Sequence, residues 1–202
     1  MRTALLEARH WNPKLTLAVN IAPQQLKSDS LIDRLLGVLR ETGFPPERFE
    51  IEITENALIG DLELARRIVL GLKSHGIRVA LDDFGTGYSS LSHLSELPFD
   101  KLKIDRSFIH TMHNRPESAT IVNAIIGLGR SLNMPTTAEG IESAADAELL
   151  TRLGCDVGQG FLYSRPVPAR EVQALIDTMH DASMVADRGA VPQTESLRAI
   201  LA

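Results

Sequence analysis

Residues 82 and 83 are adjacent aspartates at the end of the apolar run IRVAL, followed by a turn carrying Gly85 and Gly87 before Tyr88 and Ser89 open a helix. Neighbouring side chains on a strand point to opposite faces, so both carboxylates reach one site only where the strand ends and the backbone turns. Adjacent carboxylates repel, and in a partly buried position they need a cation or a shared proton. The plainer alternative is that Asp83 caps the next helix and Asp82 is solvated at the strand end. Other polar residues fall within or at the ends of further apolar runs: Asn20 in LTLAVNI, Glu52 in FEIEITE, Lys103 in DKLKID, Glu139 in MPTTAEG and Gln159 in CDVGQGF. Asn20, Glu52, Asp82, Asp83 and Glu139 are hard oxygen donors, Gln159 adds another, and no histidine or thiolate stands among them. That set suits Mg²⁺ or Mn²⁺ rather than Zn²⁺. Four carboxylates carry more charge than one divalent ion cancels, so two ions are expected, and with them in-line displacement at phosphorus by an acidified water. Lys103 is expected within the cluster, charged, as a water-orienting group and proton acceptor or as electrostatic support. The surrounding carboxylates raise a lysine pKa and so disfavour a Schiff-base role.

These residues need a scaffold that brings six strand ends together. The chain repeats strand, helix and glycine: strands at 15–21, 49–55, 77–83, 100–105, 134–140 and 155–161, with helices over 30–42, 61–75, 117–131, 143–153 and 169–180. Strands alternating with helices imply a parallel sheet with right-handed crossovers. An open doubly wound sheet serves its ligand from two or three strands at a switch point, whereas a barrel collects polar residues from most strand ends. The expected fold is therefore an α/β chain forming a TIM-like (β/α)8 barrel, incomplete at its front by about two strands. The barrel domain is expected over residues 1–180, and 181–202 read as a polar tail with one short amphipathic turn, TESLRAIL.

With 202 residues, 44% of them hydrophobic, the chain has enough apolar material for one well-cored domain. A net charge of −5, from 26 acids and 21 bases without single-sign blocks, argues against a nucleic-acid backbone binder or a polybasic membrane anchor. Cys155 is the single cysteine, which excludes an internal disulfide and reads as a small core residue. No apolar run reaches membrane-spanning length and MRTALLEARHW lacks a signal-peptide core, so the expected location is cytoplasmic, or the cytoplasmic part of a larger membrane-tethered chain. Asp83-Phe84-Gly85 imitates a kinase motif without its companions. His110 and His113 read as surface histidines, and Ile121, Val122, Ile125 and Leu128 as the buried face of a barrel helix.

NIAPQQL at 20–26, EIEITEN at 50–56, ALDDFGTGYSSL at 80–91, KLKIDRSFI at 101–109, TAEGIE at 137–142 and GCDVGQGFLYSRP at 154–166 resemble, in order and spacing, the motifs of EAL-domain cyclic di-GMP phosphodiesterases. The resemblance covers about residues 1–177. It implies a modified (β/α)8 barrel with one antiparallel strand, hydrolysing cyclic di-GMP to the linear dinucleotide pGpG with two Mg²⁺ or Mn²⁺ ions in bacterial second-messenger signalling. Asn20, Glu52, Asp82, Asp83 and Glu139 then resemble the metal ligands, Asp82 bridging the ions. Lys103 looks like the water-activating lysine, Gln159 like the residue supporting the catalytic water, and Glu142 like a further site-lining carboxylate. Glu55 resembles the glutamate that anchors loop 84–91, which in the family links the metal site to a homodimer interface. Strand alternation also aims Glu55 away from the side of Glu52, toward the backbone donors of the glycine turn. An upstream regulatory or GGDEF-type domain is the expected partner in cis. The departure is the signature Glu-Ala-Leu strand, with its metal-binding glutamate and nearby arginine, which the sequence does not contain; Ala22 also replaces a usual serine. Either a fragment of a longer protein or a natural truncation accounts for this, and the second would give a weakened or inactive module that binds cyclic di-GMP or a protein partner.

Overall fold

The computed structural model describes residues 1–186 apart from 29, 59–60, 88–93 and 95. Six strands, β1 (Leu17–Ile21), β2 (Phe49–Thr54), β3 (Arg78–Phe84), β4 (Lys101–Ile104), β5 (Thr136–Ala138) and β6 (Val157–Gly158), form one sheet. The spatial order is β1-β2-β3-β4-β5-β6 and every pair is parallel. Each strand therefore lies beside its predecessor in the chain, joined by a helical crossover, as a parallel sheet requires. The sheet curls into part of a TIM-like barrel wall. Among the described residues β1 and β6 remain its two edges, and the antiparallel strand implied by the resemblance is not present.

The helices are α1 (Arg2–Ala8), α2 (Pro23–Leu26), α3 (Leu31–Thr42), α4 (Leu62–Ser74), α5 (Arg106–Thr111), α6 (Pro116–Ser131), α7 (Ala144–Leu153) and α8 (Ala169–Ala186). Side-chain caps start three of them: Asp61, Asp105 and Ser143 accept from the N–H groups of Leu64, Ser107 and Asp146. The helix α5 was not expected, and α8 runs six residues past the expected 169–180. The helix opened by Tyr88 and Ser89 and the turn TESLRAIL lie outside the described residues.

Alternate residues of each strand face outward: Phe49, Ile51, Ile53, Val79, Leu81, Leu102 and Ile104 are fully buried in one hydrophobic core with Leu35, Leu39, Ile68, Leu72, Val122 and Ile126 of the helices. Burial of each such side chain contributes about 1.5–3 kcal/mol. On α6 the buried face is Ser118, Val122, Ile125, Ile126 and Gly129, while Ile121 is 40% exposed, because the 3.6-residue period turns it off the stripe. At the opposite end of the sheet from the strand C-termini, the buried guanidinium of Arg48 donates to the carbonyls of Ala8, Asn12 and Leu15 and lies over Phe44, fastening α1 to the start of β2. Among the described residues no helix is long and apolar enough to cross a membrane.

Candidate functional site

The inward-facing residues of the same strands are polar apart from small ones such as Ala80. Register pairs Asn20 with Glu52, Thr54 with Asp82, and Lys103 with Thr137. Sheet alternation thus carries Asn20, Glu52, Asp82 and Lys103 to the concave side, with Glu139 and Gln159 just beyond β5 and β6. The N–H of Glu139 donates to Ile104 O and that of Gln159 to Ala138 O, extending the ladder past each strand and aiming both side chains inward. Gly160 is needed here because any Cβ would fall 2.1 Å from Ile141 O.

The adjacent aspartates reach one site by a route different from the expected one. The strand does not end at residue 82; the β3–β4 register shifts between Leu81 and Phe84, with three steps on β3 opposite two on β4. This is a β-bulge, and within it Asp83 takes φ 54°, a left-handed conformation that aspartate tolerates better than most side chains. The bulge cancels the alternation, and carboxylate oxygens of Asp82, Asp83 and Glu139 come within 4.8 Å of one another.

Lys103 sits at the centre. Its ammonium is 2.9 Å from Glu52 and 2.8 Å from Asp82, and it also pairs with Glu139. Its side chain is 3% exposed. Burial alone would depress its pKa, but Glu52, Glu139 and Asp82 together outweigh burial and hold it above the usual lysine range. Burial, then Asp82 and Asp105, raises the Asp83 carboxyl. Burial pushes Glu139 up to about 7, with Lys103 opposing the rise.

Glu55 is 2% exposed and follows β2 in a short 3-10 turn, Glu55–Leu58. It accepts from the N–H groups of Gly85 at 2.9 Å and Gly87 at 3.3 Å. Gly85 has φ 98°, a conformation closed to ordinary side chains. The part of loop 84–91 beyond residue 87 lies outside the described residues.

A cleft of about 940 Å³ gathers Asn20, Glu52, Asp82, Lys103, Glu139 and Gln159, and extends between the two sheet edges. Glu142 is not in it: its side chain is 56% exposed, 3.7 Å from His110 Nε2. It lines a smaller, largely apolar cavity with Arg106, His110, Phe161, Tyr163 and Arg165, which meets the cleft at Glu139 and Gln159. His113 pairs with Asp146 at 2.8 Å, away from His110's partners. The residues fit divalent cations on two counts: the donors are clustered carboxylates, and the buried Gln159 Oε1 has no hydrogen-bond partner among the described residues.

The raised Glu139 carboxyl gives a pH dependence. Between about 4.5 and about 7 the metal-free folded protein holds a proton at Glu139 that the unfolded chain has released. This group's contribution to stability therefore falls as pH rises through that interval. A divalent ion favours the ionised form, so its apparent affinity should rise with pH by up to about tenfold per unit, levelling off above 7. Calorimetric Mn²⁺ titrations and melts in chelator check this; Glu139→Gln should flatten the slope in the melts.

The EAL domain family model matches residues 1–166. The chain is 41% identical over 166 residues to the bifunctional diguanylate cyclase/cyclic di-GMP phosphodiesterase MucR of Pseudomonas aeruginosa, covering 82% of this chain and 24% of that protein. It is 41% identical over 162 residues to cyclic di-GMP phosphodiesterase PdeR of Escherichia coli K12, covering 79% of this chain and 24% of that one. It thus spans about a quarter of the length of these curated relatives. Among solved structures, a PaMucR phosphodiesterase complex with cyclic di-GMP superposes with a TM-score of 0.82 at 39% identity, covering 85% of this chain and 71% of that one. A manganese and cyclic di-GMP complex of Klebsiella pneumoniae BlrP1 gives 0.75 at 30% identity, covering 81% and 42%.

Proposed function

Because this chain belongs to the EAL domain family, we propose that it forms the catalytic part of a divalent-metal phosphodiesterase that opens cyclic di-GMP to linear pGpG. The observation that carries this reading is the bulge that gathers Asp82, Asp83 and Glu139 around one point beside Lys103. Asn20, Glu52, Asp82, Asp83 and Glu139 would hold two Mg²⁺ or Mn²⁺ ions, with Asp82 shared. When bound, such ions supply an acidified water and neutralise charge on the phosphate. Water adds across one phosphodiester: its oxygen bonds to phosphorus, the 3′-oxygen leaves and takes a proton, and the ring opens.

The chain's own groups divide the remaining work. Lys103 stays protonated among its carboxylates, so it serves as a hydrogen-bond donor and positive charge rather than as a base. Gln159 offers its unpartnered Oε1 to orient the attacking water. Arg106, Arg165 and the aromatic wall of the smaller cavity, where Arg165 lies 4.6 Å over Phe161, provide a surface suited to a purine and its phosphate. Glu142 lies at the rim of that cavity and contributes negative charge there. A cytoplasmic setting, an upstream GGDEF-type or other regulatory domain and a homodimer joined near loop 84–91 belong to the same proposal.

Incubation of the chain with cyclic di-GMP and Mn²⁺, followed by chromatography, should yield pGpG, and chelator should stop it. Tight, metal-independent binding without product would instead support a binding module. Glu55→Gln tests the link between loop and site. Both backbone N–H groups share Glu55 Oε2, so Gln can still accept them, but as a neutral and weaker acceptor, and turnover and metal affinity should fall about tenfold while the circular dichroism spectrum is unchanged. Unaltered kinetics would remove the case for that link.

A further inference from the structure

Below the Lys103 cluster the barrel interior holds a second ion pair, Lys101 Nζ at 2.7 Å from Glu50 Oε2, with side chains 11% and 1% exposed. Register places Glu52 beside Ala80 and Ala80 beside Lys101. The carboxylate on Lys101's own level is therefore Glu52, yet the lysine reaches diagonally to Glu50. Lys103 makes the same diagonal one level higher, crossing β3 to Glu52 at 2.9 Å. Glutamates 50 and 52 and lysines 101 and 103, each two residues and so about 7 Å apart along a strand, form two parallel rungs. The fully buried Ala80 methyl leaves room for the lower crossing.

We infer that Glu50 is a positioning residue: by drawing Lys101 downward it keeps Glu52 turned toward the carboxylate cleft and available to a divalent ion. This rests on Glu52 being a metal ligand, as proposed above. A buried ammonium that loses one carboxylate turns more strongly to the nearest other one, and lysine's flexible four-carbon stem permits the change. With Glu50 neutral, that carboxylate is Glu52, and Lys101 then competes with the cation for it.

The test is Mn²⁺ titration calorimetry on the 202-residue chain, with melts in chelator as a fold control. Glu50→Gln should weaken Mn²⁺ binding about tenfold. The double variant Glu50→Gln/Lys101→Met removes the competing ammonium along with its partner and should return affinity to within about twofold of the parent. It also avoids leaving the buried Glu50 carboxylate without the Lys101 ammonium, as Lys101→Met alone would. Unchanged affinity in Glu50→Gln, or equal weakening in the single and double variants, overturns the inference. Glu52→Gln separates the two levels. If it weakens binding while Glu50→Gln does not, only the positioning role fails, and if it too changes nothing, the metal-ligand reading of Glu52 fails with it.

Discussion

Lys103→Met should leave the chain folded only weakly until a divalent ion is supplied. The substitution keeps the length of the side chain and removes the charge that Glu52, Asp82 and Glu139 share. Breaking a buried ion pair by deleting one partner costs about 3–5 kcal/mol, and here one ammonium serves three carboxylates. Against a usual total stability of about 5–15 kcal/mol, that is a large fraction. Protonation of Glu139, already lifted to about 7, relieves only part of it. Ions in the same carboxylates would replace the missing charge, and occupancy at about 100 times Kd returns about 2.7 kcal/mol. Thermal melts with chelator and with Mn²⁺ check this: the variant should melt well below the parent in chelator and recover much of the gap in Mn²⁺. A variant that melts with the parent in chelator would show that Lys103 does not balance the cluster. Turnover should be lost even in the refolded, metal-loaded variant.

Asp82→Asn should abolish metal-dependent turnover while sparing the fold. Asparagine is nearly isosteric, the bulge between Leu81 and Phe84 is a backbone feature, and Lys103 retains Glu52 and Glu139. What disappears is the carboxylate proposed to be shared by two ions and a repulsive neighbour of Asp83. Losing groups that merely support metal ligands costs about 10–100-fold in affinity or activity, so loss of a shared ligand should cost at least about 100-fold. Mn²⁺ affinity and pGpG formation, measured together, should fall together. Near-parental hydrolysis would remove Asp82 from the site.

Much of this arrangement was legible in the chain because strand alternation and strand-end chemistry coincide. Lys101 and Lys103 alternate with Leu102 and Ile104, and Glu50 and Glu52 with Ile51 and Ile53, so the polar side of each strand could be read directly. Glu55 could be read as facing away from Glu52 by the same parity, and its bonds to Gly85 and Gly87 agree. What could not be read was backbone geometry that breaks parity. Nothing in the letters Asp-Asp announces a bulge, and a turn at the strand end was the natural expectation. The six residues of α5 are too few to develop a hydrophobic period, although Asp105 two residues before Ser107 was a cap signal. The resemblance made Glu142 a further site-lining carboxylate; it lines the smaller cavity together with Glu139, and Gly140, at φ 72°, stands between them in the chain. The lower rung was visible in the matched spacing of Glu50/Glu52 and Lys101/Lys103 but called for no chemistry of its own.

Strand order that equals chain order has a bearing on how the protein is made. On the ribosome, β1, β2 and β3 emerge ahead of β4, so Glu50, Glu52 and Asp82 are free to dock while Lys101 and Lys103 are still held back in the exit tunnel. Docking those three strands alone would bring like charges together in a low-dielectric space, so early collapse gains little from them. The fourth strand delivers both ammonium groups at once, one for each level. Vectorial synthesis thus leaves the acidic side of the first three strands without its lysines until residues 101–104 arrive to neutralise it.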